Sequence, residues 1–233
     1  MDRITTYILL LFIYLWRALA REKSDADSVA DYIGRISDMV PEEVTSSQLW
    51  LPPQLYQARY HHVDGSEVKA RQIVRTLVQV ALELLSDDDQ TNDFEAYGKL
   101  LFIFIPLGDA KNAATALSMV ALEKRTDRGK GLEYDMHMRC PGDCDHVWKY
   151  PDKTWVSKDC IAVFMEVNCL KKLRENKLEH KVCNPNHHFL EVPKWDGDRM
   201  ESLPKGIIPW GDQNLPLDGW KQEIRKAYIE VDA

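Results

Sequence analysis

The chain has 233 residues with 30 basic and 37 acidic side chains, a formal net charge of −7. At 45% hydrophobic and 29% charged it has the balance of a folded globular protein, and with only 11 Gly and 11 Pro it is neither collagen-like nor disordered. The acidic excess argues against a protein that coats nucleic acid, which needs a net positive field, so no nucleic-acid partner is expected.

The first feature along the chain is the ten-residue apolar run Tyr7 to Trp16. It is shorter than the roughly 20 residues that cross a bilayer, so no membrane span is expected. A buried helix suits it best. The competing reading is a secretory signal, with Arg3 ahead of the run and Ala18-x-Ala20 as the cleavage site.

Four further helices are expected before residue 126. Val29, Ile33, Ile36 and Val40 recur at helical spacing over 25–39, until Pro41 stops the run. Tyr60, His61 and His62 follow Pro52-Pro53 and suit a partly exposed helix end, since adjacent residues on a helix do not face one ligand. A long amphipathic stretch opens at Ser66, with Val68, Ile73, Val74, Leu77, Val78, Ala81, Leu82 and Leu85 expected on one apolar face. Asp87-Asp88-Asp89 ends it as a solvated turn. Asn92 to Ile105 is closed by Pro106, and Asp109 caps a small-residue helix from Ala110 to Lys124. Helix, tight turn and helix fill 34 residues, the period of a tetratricopeptide unit. One such hairpin cannot bury its own face, so it is expected to stack on other helices, with the chain reading as the end of a longer stack.

Chemistry gathers beyond position 140. Cys140, Cys144, Cys160, Cys169 and Cys183, followed by His187 and His188, occupy one short stretch that holds every cysteine of the chain. Cys-x3-Cys and Cys-x3-His are short enough for each pair to reach one ion, and both lie in Pro-containing turns (CPGDC and CNPNHH). Zinc takes four soft or borderline ligands in a tetrahedron, and these seven residues form its candidate ligand pool. Buried free thiols and disulfides are the alternatives; turn-like surroundings oppose the first and an odd cysteine count the second. A structural ion is expected, because no His-Glu-x-x-His, deaminase or nucleophile-elbow motif accompanies the cluster, and no enzyme activity is assigned. The basic segment 171–181 (KKLRENKLEHK) is expected to be a solvated helix face.

The segment from the first Cys pair through Trp155, Lys158-Asp159-Cys160, Cys169, Cys183…His187 and Val192-Pro193 resembles the ZZ-like module of large fungal helical-repeat proteins. Some of those proteins are similar to STAND-type signalling proteins. The resemblance implies cross-braced ligand pairs and recognition of a peptide or protein partner. The chain departs from the full pattern at Ser157 and Glu166, each three residues before a cysteine. Cross-bracing then implies one site of Cys140, Cys144 and Cys169, with Glu166 as an oxygen ligand. A second would hold Cys160, Cys183 and His187, completed by His188 or His180. The alternative is a single site of Cys140, Cys144, Cys183 and His187, with Cys160 and Cys169 in the core.

The expected architecture is a mainly α, tetratricopeptide-like region over 1–126, a small zinc-binding α+β, ZZ-like module over 127–196, and a tail over 197–233 ending in a helix begun near Asp218. The expected role is a zinc-held protein-interaction module, cytoplasmic or nuclear. A zinc- or thiol-dependent enzyme and a secreted disulfide protein are the alternatives.

Overall fold

The computed structural model describes residues 53–63, 65–125, 140–142, 144, 153–159, 163–179, 183–192 and 197–230. The apolar run Tyr7 to Trp16, the helix expected over 25–39, Cys160, His180 and the expected boundaries at 126 and 196 lie outside these residues. Two compact units divide the chain, one of residues 1–76 with 227–233 and the other of 77–226. No helix among the described residues is long and apolar enough to cross a membrane.

The N-terminal helices pack as pairs. In the first, α1 (Pro53–Val63) turns at Gly65 into α2 (Glu67–Leu84). His61 is buried near the end of α1, and His62 forms a 2.7 Å pair with Glu67 across the turn, so the two histidines serve separate surroundings. The apolar face of α2 is Ala70, Val74, Val78, Ala81 and Leu82, while Val68 lies outside that stripe and is half exposed. Within the first unit, the Arg75 guanidinium donates to the carbonyl of Ile229, and Arg71 lies over the Tyr228 ring.

The three aspartates after α2 are spent on a turn. Asp87 accepts from the Asp89 amide at 2.9 Å and from the Asn92 side chain at 2.8 Å, and Asp89 accepts from the Thr91 amide and hydroxyl. The Thr91 hydroxyl, then its amide, hold the Asp89 carboxyl below its usual range.

The second helical pair is α3 (Asp93–Phe104) and α4 (Ala110–Arg125). Asp109 accepts from the Asn112 amide at 3.1 Å, the N-cap bond expected of its position. Ala96, Gly98, Ala113 and Ala116 are buried in this pair; their small side chains let the helix backbones approach. Asn112 is buried as well, and its Oδ1 accepts two indole N–H groups from far along the chain. They come from Trp210 at 3.0 Å and Trp220 at 2.8 Å, and Asn112 Nδ2 donates to Asp109 at 2.7 Å.

A three-stranded antiparallel sheet follows, ordered β2 (Phe164–Met165), β1 (Thr154–Ser157), β3 (Phe189–Val192). Register puts Val156 opposite both Phe164 and Leu190, and Thr154 opposite Val192. Because strand side chains alternate, these five share one face. That face meets the helical pair: the Phe164 ring stands edge-on to Phe102 of α3, with centroids 6.4 Å apart. Trp155, Met165 and Phe189 take the opposite face and pack with Cys140, Cys169 and Cys183. Helix α5 (Val167–Arg174) follows β2 directly and adds Leu170 and Leu173 to this second core. The sheet therefore separates helical scaffold from cysteines.

After α6 (Gly197–Ser202) comes a hairpin of β4 (Ile207–Trp210) and β5 (Gln213–Pro216). Its two-residue loop starts at Gly211, whose φ of +61 is the backbone such a tight hairpin favours at that position. The hairpin leans on α4: Lys111 lies over the Trp210 ring, and the Thr115 hydroxyl donates to the Pro209 carbonyl at 2.8 Å. Helix α7 (Leu217–Tyr228) begins at the position expected from Asp218 and inserts Trp220, fully buried, beside Tyr97.

Candidate metal centre

Two chain segments meet at the second core. The CPGDC turn supplies Cys140 and Cys144, and the first turn of α5 supplies Cys169. The three sulfur atoms all lie within 4.8 Å of one another. Sulfurs sharing a tetrahedral ion at about 2.3 Å stand roughly 3.8 Å apart, so small side-chain adjustments close this triangle on a metal. Cys140 and Cys169 are buried and Cys144 is exposed.

Sequence explains the convergence locally. Cys169 sits on the inward stripe of α5 with Leu170 and Leu173, while Lys171, Lys172 and Arg174 face solvent in the last turn, where cations suit the helix dipole. Gly142 lies against Cys169. A Cβ at Gly142 would stand 2.6 Å from Cys169 Sγ and 2.7 Å from its Cβ, closer than atoms pack. Only a glycine lets this turn pass over the helix.

The electrostatics fit a cation. Burial pushes the Cys169 thiol far above its ordinary pKa, and the neighbouring Cys144 and Cys140 sulfurs push the same way. Burial also raises Cys140, opposed by the backbone N–H groups of Glu166 and Gly142 that donate to its sulfur. The two buried thiols resist ionising together unless a positive ion shares their charge. Such soft, closely spaced donors suit a borderline or soft metal ion.

Among the described residues, the other expected ligands fall outside this triangle of sulfurs. Cys183 Sγ is 3.2 Å from His187 Nδ1, brought together by a turn in which the His187 amide donates to the Asn184 carbonyl across Pro185. Ser157, which stands where the full ZZ pattern has a ligand, places its hydroxyl 3.8 Å from Cys183 Sγ. His188 is mostly exposed; its amide donates to Asp159 Oδ2 at 2.8 Å, and its ring nitrogen is 3.7 Å from the same oxygen. The Glu166 side chain accepts from Asn168 at 2.8 Å, and its backbone N–H reaches Cys140. Thus Cys169, and not the Cys183–His187 pair, joins the first two cysteines. Gly142 and the Glu166 amide act on the cluster through backbone, which side-chain spacing does not report.

No family model, curated protein or solved structure matches the chain.

Proposed function

We propose that the chain is a non-enzymatic, zinc-binding interaction module, a ZZ-like finger carried on a tetratricopeptide-like helical scaffold of the fungal STAND-like kind. It recognises a peptide or protein partner in the cytoplasm or nucleus. The convergence of Cys140, Cys144 and Cys169 sulfurs is the observation that carries this reading. Zinc suits the thiolate set, and burial of two of the three sulfurs suits a structural ion over a catalytic one. The Cys183–His187 pair supports a second ion, with Cys160 in its ligand set and His188 at its edge. The grouping of the Cys140, Cys144 and Cys169 sulfurs, three at one point and not a bonded pair, favours metal ligation over a disulfide framework. The 34-residue helical pair with its buried small residues supports the repeat-like scaffold.

Elemental analysis of the purified full chain tests the reading. At least one zinc per chain is expected. Chelation should abolish the near-UV tryptophan signal of the Trp155 core while the far-UV helical signal of α3 and α4 persists. Protein expressed with zinc in the medium and carrying none would overturn it.

A further inference from the structure

The three clustered sulfurs differ in access. Cys140 and Cys169 are each 1% exposed, locked among Met165, Leu170 and Leu173, whereas Cys144 faces solvent. Both buried sulfurs lie within 4.8 Å of it. A dissolved oxidant therefore meets one thiol of the three, and that thiol has two partners at hand. Disulfide formation needs the sulfurs to close to about 2.05 Å, and the freedom to move lies with Cys144, since its partners are packed.

We propose that Cys144 is an oxidative modification site, attacked by a peroxide and resolved by one of its two buried neighbours. The Cys144 thiolate attacks one peroxide oxygen, the O–O bond breaks, and hydroxide leaves and is protonated to water. Cys144 is then a sulfenic acid, oxidised by two electrons. The sulfur of Cys140 or Cys169 attacks the Cys144 sulfur, giving up its proton or its metal bond as hydroxide is displaced and protonated to water. Counted with every group protonated, two thiols and one peroxide thus give one disulfide and two waters. A dithiol reductant reverses the change by thiol–disulfide exchange. The disulfide leaves one thiolate of the original three. Where the cluster holds an ion, as the proposed function has it, oxidation releases that ion and loosens the core built on it.

The test uses the full chain, hydrogen peroxide, and mass-spectrometric mapping after the remaining thiols are alkylated. Cys144 is expected in the first disulfide formed within the cluster, with its thiol lost at least about tenfold faster than the buried pair's excess over that disulfide. Zinc release, read with a chelating dye, should follow at one ion per disulfide, and dithiothreitol with added zinc should restore both. In Cys144→Ser the buried thiols should resist the same peroxide dose. A first cluster disulfide joining Cys140 to Cys169, or a Cys144 thiol that survives while Cys183 is oxidised, would overturn the proposal. Cys144 pairing as described in a chain that never held metal would overturn the metal reading and leave the oxidation site standing. Zinc bound at the cluster with Cys144 inert to peroxide would do the reverse.

Discussion

Asn112→Leu is expected to destabilise the protein by about 2–4 kcal/mol, because each buried donor left unpaired costs about 1–3 kcal/mol. Asn112 Oδ1 accepts from both Trp210 and Trp220, and no water reaches Trp220 to replace it. Leucine keeps the branching of asparagine but is bulkier, so the loss combines the missing polar bonds with some overpacking, and the comparison with Trp220→Phe isolates the bonds. The Asp109 carboxylate loses a donor as well, though the N-cap bond from the residue 112 amide remains. For a chain of this length the melting temperature should fall by roughly 5–15 °C. Trp220→Phe removes one of the two donors, so the leucine substitution should cost about 1–2 kcal/mol less in that background. Additive effects of the two changes, read by urea denaturation, would show that the shared acceptor does not couple them.

Gly142→Ala is the second large effect, aimed at the cysteine cluster. Gly142 has no positive φ, so alanine is compatible with the backbone and its effect isolates the contact with Cys169. Cys169 cannot yield, because α5 is pinned by Leu170 and Leu173; the turn must lift and carry Cys140 and Cys144 away from the third sulfur. Metal affinity should drop by about 100-fold, at the upper end of what displaced supporting groups cost a metal site. The helical pairs should be untouched, with far-UV circular dichroism unchanged. Competition with a chromophoric chelator measures the affinity, and a variant that binds as tightly as the parent would separate the ion from this cluster.

Short-range signals in the sequence carried most of the local structure. Pro106 and Asp109 end one helix and cap the next, and the structure has α3 and α4 on either side of them. Asp218 stands in the first turn of α7. The cysteines were legible as a group, because short spacing in Pro-containing turns is a local property. Spacing alone left their partition open: the ZZ-like resemblance implied Cys140, Cys144 and Cys169 in one site, Cys183 and His187 were the alternative partners, and the structure groups the first three. Cys169 joins Cys140 and Cys144 because α5 follows β2 and turns one face toward the sheet core, an outcome of strand register and packing. The basic run 171–181 likewise divides, with its first residues in the last turn of α5 and the rest beyond Arg174. Asn112 carried no sequence signal for its role. A lone asparagine on a small-residue helix looks unremarkable until two indoles, 98 and 108 residues away in sequence, arrive at its oxygen.

Cobalt(II) substitution of the full chain tests most directly whether Cys140, Cys144 and Cys169 ligate one ion. Cobalt bound by thiolates shows sulfur-to-metal charge transfer in the near ultraviolet, together with the visible bands of a tetrahedral site. The parent chain is expected to show both. Cys169→Ser should lose the charge-transfer intensity belonging to this site, while any contribution from Cys183 persists. A charge-transfer spectrum unchanged by Cys169→Ser, or cobalt bound without sulfur bands, would contradict the three-cysteine centre.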